Sequence, residues 1–444
     1  MSKKNDTAAH KGAAVAVSSI ENEQITRRGF LRAAGALTGG AVLAASSQKL
    51  SAAQTADPGH SGHDMSKHGG HSMPATGGYQ SMMFMQDHGM QGSRIIEPPG
   101  APSPTEVEYK VFDLDVQIVE HEIVPGVKSH MFAFNGQVPG PEFHVNEGDW
   151  IQVNFTNKTE EMHTIHWHGM ELPFYMDGVP MVTQDPVHPG DTFVYRFQAK
   201  SVGTRWYHCH WSTPLHAGSA MHGAFITHPK GKEPLQKRFP YVRDYVLMLE
   251  SWDVDFLREE MNSLLAGMKE VNLLQRQGKL DAATHGFFRN YEAFKKAVDS
   301  GTYIPPYLQG RSSGVEIKPN FFAINGKSYP ATQRLVIKQG EWIRIRFINA
   351  SGLSHHMHLH GHDFWWVSQD GNDLPEPRRL NTIHVEPGGT YDVMVYGDNP
   401  GYWTFHDHKT VHVRNNGIYP GGMLTVLAYE DFQSSYQPSI SVDQ

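Results

Sequence analysis

Cysteine is almost missing from this chain: one residue, Cys209, in 444. No disulfide within the chain can therefore brace the fold. Concentrated positive charge is missing too, with 38 Lys and Arg against 46 Asp and Glu, a formal net charge of -8 and no basic block. That balance excludes nucleic acid as an expected partner. The apolar stretch from Ala33 to Ala45 is short and rich in glycine and alanine, so no membrane-spanning helix and no membrane partner are expected.

Histidine, in contrast, is abundant, with 28 residues, and the lone cysteine sits between two of them in Trp206-Tyr207-His208-Cys209-His210. Side chains of an extended segment alternate faces, so His208 and His210 point one way and the thiol of Cys209 the other. The upstream run His163-Thr164-Ile165-His166-Trp167-His168 sorts the same way, with His166 and His168 on one face and His163 on the opposite one. His163 then joins Cys209, and His166 and His168 join His208 and His210. A soft thiolate with imidazoles and a weak thioether describes a blue-copper site, and His216 and Met221 downstream supply the remaining imidazole and the thioether. One His-x-His pair alone is an ordinary polar pair. Here two more follow, in His355-His356-Met357-His358-Leu359-His360 and Phe405-His406-Asp407-His408.

The chain is long enough for two or more domains, and an internal repeat locates them. Phe132-Ala133-Phe134-Asn135-Gly136 and the later Glu147-Gly148-Asp149-Trp150-Ile151 match Phe322-Ala323-Ile324-Asn325-Gly326 and Gln339-Gly340-Glu341-Trp342-Ile343. Each is a turn leading into an alternating strand, which predicts an all-β protein of two β-sandwich domains, at 104–230 and 313–430, followed by a tail at 431–444. The segment 231–312 is expected as a linker with a helical insert, at Phe256 to Arg276 and Phe287 to Val298, able to roof the blue-copper site. Before the first domain, 54–103 is an arm rich in methionine and histidine that cannot bury a core and whose thioethers suit Cu(I). Arg27-Arg28-Gly29-Phe30-Leu31-Arg32 and the apolar stretch behind it read as a twin-arginine export signal over 1–53, cleaved near Ala53 or Ala56, which implies a periplasmic or secreted protein.

From Pro104 to Tyr429 these motifs together resemble the multicopper oxidases, specifically the two-domain kind with blue copper in the N-terminal domain. The resemblance implies cupredoxin-like Greek-key sandwiches and four coppers per chain. His163, Cys209, His216 and Met221 would hold the type 1 ion. His166 and His358 would hold type 2, and His168, His208, His210, His360, His406 and His408 the type 3 pair. It further implies that electrons from a small reducing substrate pass through Cys209 to the three-copper cluster, where dioxygen is reduced to water. Asp177, at a family position near that cluster, is the expected proton relay. Relatives with two domains build the cluster between neighbouring subunits of a homotrimer, which is the expected assembly. The spacing from Cys209 to His216 is two residues longer than is usual, and His222 is the alternative ligand. Asp407 stands where a cysteine would make a second blue site, so the C-terminal domain is expected to lack type 1 copper, with His355 and His412 hydrogen-bonded to Asp407.

The reaction these residues favour is laccase-type oxidation of phenols, aromatic amines or similar one-electron donors. The alternative is oxidation of Cu(I) or another metal ion in copper tolerance, suggested by the arm. A copper nitrite reductase needs only a mononuclear catalytic copper, and a copper-sequestering protein needs only the arm. Neither accounts for four His-x-His pairs.

Overall fold

The computed structural model describes residues 94–435, apart from Glu160, Met181, Ser212, Glu260 and 262–317. The export signal, the arm before Arg94, the tail after Ser435 and the insert beyond its helical start at 254–259 lie outside the described residues.

The first sandwich is built of β1 (Ile95–Ile96), β2 (Tyr109–Val124), β3 (Val127–Phe134), β4 (Phe143–Asn146), β5 (Trp150–Asn157), β6 (Ile165–His168), β7 (Thr192–Gln198), β8 (Gly203–Cys209) and β9 (His222–His228). Helix α1 (Thr213–Ser219) joins the last two. The second is built of β10 (Tyr241–Trp252), β11 (Phe321–Ile324), β12 (Leu335–Ile337), β13 (Trp342–Asn349), β14 (His355–Leu359), β15 (Phe364–Gln369), β16 (Asn372–Leu380), β17 (Thr382–Val385), β18 (Thr390–Tyr396), β19 (Tyr402–Asp407) and β20 (Leu424–Tyr429). Strand β5 shows why these segments extend: Ile151, Val153 and Phe155 are buried while the residues between them are only partly covered, the period of two that a half-buried strand requires.

Each sandwich packs two sheets on one hydrophobic core. The sheets run β1-β7-β5-β2-β3 and β4-β9-β8-β6 in the first, and β11-β10-β13-β18-β15-β16 and β12-β20-β19-β14-β17 in the second. The repeat seen in the sequence is a structural repeat. Strand β6 pairs antiparallel with β8 at His166 opposite His208, and β14 pairs antiparallel with β19 at His358 opposite His406.

The segment 241–252 differs from the linker expectation. It is a strand of the second sandwich, parallel to β13 and antiparallel to β11. Leu247, Met248 and Leu249 are buried there, so this apolar run belongs to a sheet interior.

Strand β8 also ties the sandwiches together. Thr204 Oγ1 donates to Asp392 at 2.7 Å, Arg346 donates back to Thr204 at 2.8 Å, and the Trp206 indole donates to the Gly388 carbonyl at 3.1 Å. Arg344 holds the other oxygen of the buried Asp392 at 2.5 Å. Removing one partner of such a buried pair leaves an uncompensated charge and costs about 3–5 kcal/mol, so β8 is firmly placed.

Candidate metal centres

Strand β8 sends Tyr207 and Cys209 into the core of the first sandwich and Trp206 and His208 to the other face. On the core side, Nδ1 of His163 and Nδ1 of His216 each lie 3.6 Å from the Cys209 sulfur. All three side chains are buried, as is Met221. The Met221 carbonyl accepts the Cys209 N–H at 3.0 Å, and its own N–H donates to the His216 carbonyl at 3.1 Å. Helix α1 thus delivers His216 despite the longer spacing. His222 turns away to the buried Glu250, with 3.4 Å between Nε2 and the carboxylate.

The protonation pattern of this cup follows from its neighbours. Thr159 Oγ1 donates to Asn157 Oδ1 at 2.9 Å, so it accepts from His163 Nε2 at 2.8 Å. His163 then aims a bare Nδ1 lone pair at the sulfur. Burial holds His163 well below the usual histidine range and lowers His216 to about 3, so both rings are neutral ligands at ordinary pH. Burial likewise pushes the Cys209 thiol up to about 12, against hydrogen bonds from the Thr164 and Trp211 backbone. A metal is what makes such a thiol a thiolate.

On the opposite face, the His166 ring lies 5.3 Å from His208, 5.5 Å from His210 and 5.6 Å from His168, centroid to centroid. His166 Nδ1 donates to the Asp177 carbonyl at 2.8 Å and lies 3.4 Å from its carboxylate. His208 Nδ1 donates to the Cys209 carbonyl at 3.0 Å. Carbonyls only accept, so both rings carry hydrogen on Nδ1 and present bare Nε2 atoms. His168 Nδ1 is buried with no hydrogen-bond partner, an arrangement costing about 1–3 kcal/mol unless a cation takes the lone pair. Burial lowers His168 to about 4 and His208 to about 3. The donor set suits a borderline metal ion.

The second sandwich carries a matching set. His358 Nδ1 donates to the Asn381 carbonyl at 2.8 Å, His406 Nδ1 donates to the Asp407 carbonyl at 2.9 Å, and Nε2 of His360 lies 2.9 Å from Nε2 of His406. The His408 ring is 5.3 Å from His358. Among the described residues, no ring of this set contacts a ring of the first set. His360 and His408 are exposed.

Where the second sandwich repeats the Cys209 cup, Asp407 replaces the sulfur. Its Oδ2 accepts from His355 Nδ1 at 2.8 Å and from His412 Nδ1 at 2.5 Å, and its Oδ1 accepts from the N–H groups of His356 at 3.0 Å and Lys409 at 2.9 Å. Burial alone would raise this carboxyl, but its hydrogen bonds with His355, His412 and the Lys409 N–H hold it well below the usual carboxylate range. The expected hydrogen bonding of His355 and His412 is present.

Two stretches of the chain, 115–232 and 303–419, match family models described as multicopper oxidase. The chain is 35% identical to the blue copper oxidase of Nitrosomonas europaea, with 73% of this chain and 87% of that one covered and a TM-score of 0.59. It belongs to the multicopper oxidase family. A second solved member, the multicopper oxidase mgLAC, is 36% identical over the same shares of the two chains, with a TM-score of 0.58. Copper resistance protein A of Escherichia coli is 28% identical over 316 residues, which are 68% of this chain and 49% of that protein. The chain thus spans about half the length of the curated relatives it matches.

Some residues of this multicopper oxidase were not anticipated from the sequence. Thr159 sets the His163 tautomer, and Ser351 stands in the corresponding place, its Oγ 2.8 Å from His355 Nε2. The signal was available: Asn157-Lys158-Thr159 and Asn349-Ala350-Ser351 begin at the same distance before His163 and His355. Met423 was also missed. Its backbone pairs with Asp407 and His412 as that of Met221 pairs with Cys209 and His216.

Proposed function

We propose that this chain is an oxygen-reducing multicopper oxidase of laccase type with four coppers. His163, Cys209, His216 and Met221 hold the type 1 ion. His166 and His358 hold type 2, and His168, His208, His210, His360, His406 and His408 hold the type 3 pair. When bound, the coppers accept single electrons from phenols, aromatic amines or similar donors and reduce dioxygen to water. The protein's own residues keep the imidazoles neutral, fix their tautomers and shield the thiolate from water. One observation carries the reading: Cys209 faces His163 and His216 at 3.6 Å while its neighbour His208 faces the other histidine group. A few covalent bonds therefore join the two centres.

Asp177 is proposed as the proton relay, supported by its carboxylate 3.4 Å from the His166 ring. The cluster is proposed to form between subunits of a head-to-tail homotrimer. Support comes from the two separate histidine sets and from exposed apolar side chains, Phe174 and Val182 in the first half and Val411, Ile418 and Tyr419 in the second. Export by the twin-arginine route to the periplasm or exterior is part of the same proposal.

A second reading, cuprous-ion oxidation in copper tolerance, is favoured by the likeness to copper resistance protein A and by the Met/His-rich arm. Turnover of Cu(I) against a phenol, with and without residues 57–93, separates the two. For the oxidase itself, metal analysis is expected to find four coppers per chain. Cys209→Ser is expected to abolish the intense blue absorption and to spare the type 2 resonance. A blue band that survives this change refutes the assignment.

A further inference from the structure

We propose that Asp407, His355 and His412 form a metal-free clamp that positions His406, His408 and His358, doing in the second sandwich what a copper ion does in the first. The inference rests on the three-copper cluster proposed above.

The two cups are built alike down to their hydrogen bonds. His163 leans on Thr159 and Asn157, and His355 leans on Ser351 and Asn349. The Cys209 N–H donates to the Met221 carbonyl at 3.0 Å, as the Asp407 N–H donates to that of Met423 at 3.0 Å. The N–H of Met221 and of Met423 then returns to the carbonyl of His216 and of His412, at 3.1 and 2.9 Å. The central group differs, and with it the ring hydrogen, since His355 carries one on the Nδ1 that faces Asp407. A copper ion in the first cup would bind four side chains, those of His163, Cys209, His216 and Met221, into one rigid unit. In the second cup Asp407 gathers the same segments by accepting four N–H groups, two from imidazoles and two from the backbone.

Those four bonds span the elements that carry the cluster ligands. His355 and His356 begin β14, which carries His358; Asp407 separates His406 from His408; Lys409 and His412 follow directly. The Asp407 carbonyl also fixes the His406 ring at 2.9 Å. A carboxylate on this strand gives the cluster ligands orientation without a thiolate path for electrons. A resident cation is a poorer account, because the imidazole nitrogens stand at hydrogen-bond distances of 2.8 and 2.5 Å from the same oxygen. Ligands around one ion, each about 2.0–2.2 Å from it, stand farther apart.

The test uses full-length, copper-loaded protein. Asp407→Ala is expected to keep the blue band, to weaken the type 2 resonance that depends on His358, and to release type 3 copper roughly 10- to 100-fold more readily. Turnover and the type 3 absorption should fall with it. Asp407→Cys supplies a control that does not depend on that variant folding. Loaded with copper, it is expected to gain a second blue centre and to recover the type 3 absorption, because a metal then performs the clamping. Type 3 absorption and copper retention unchanged in Asp407→Ala would overturn the clamp. So would a fifth metal per parent chain that is lost on this substitution, or an Asp407→Cys protein that recovers no type 3 absorption. A parent protein without type 3 copper would instead count against the oxidase reading.

Discussion

At the scale of single residues, copper uptake is a proton reaction with a defined stoichiometry. The metal-free Cys209 thiol titrates only near pH 12, so below that value each copper bound as thiolate displaces one proton. His216, lowered to about 3, and His163, also depressed by burial, are already neutral near neutral pH and release none. Apparent affinity of the proposed type 1 site is therefore expected to rise about tenfold per pH unit between roughly pH 5 and pH 9. Calorimetry in buffers of differing ionisation enthalpy counts the protons. A count near zero would mean a preformed thiolate, and a count near three would mean that the histidines were charged.

At the scale of elements, the close approach of the 174–178 turn to β6 matters as much as the ligands. Gly178 has φ +79°, and a Cβ there would lie 1.8 Å from the Ile165 carbonyl oxygen. No side chain fits. Gly178→Ala must push the turn away, and with it the Asp177 carbonyl that orients His166. A left-handed residue forced to carry a side chain, plus a lost, partly buried hydrogen bond, is expected to cost about 2–4 kcal/mol. The melting temperature should fall and the type 2 resonance should broaden or vanish, while the blue band persists. An unchanged resonance would show that the turn does not set His166.

Parity made much of this arrangement legible in advance. Histidines two apart share a face, and the rings that meet, His166 with His168 and His208 with His210, are those pairs. The strand at 241–252 was hidden because residues 247–250 are buried in succession, and a continuous buried run carries no period-two mark. Thr159 and Ser351 were hidden for another reason. A hydroxyl two residues after an asparagine reads locally as a turn, and its role appears only once the chain brings a histidine above it.

At the scale of the whole molecule, the separation of the two histidine sets gives a test of assembly that needs no structure of the oligomer. Take one variant that lacks the first set, His208→Ala, and another that lacks the second, His406→Ala. Each alone is expected to be inactive. If clusters form between neighbours in a ring of three, a mixed ring always contains one junction where an intact first set meets an intact second set. Random reassembly of equal amounts makes about three quarters of the rings mixed, each with about one working cluster in three, so about a quarter of the parental activity should return. Co-expression of the two chains with distinct tags, followed by tandem purification of mixed rings, raises the expectation to about a third. If a cluster is instead completed within one chain, neither variant carries both sets and mixing recovers nothing. Return of activity in proportion to the mixed fraction would thus establish that the oxygen-reducing site belongs to the junction between subunits.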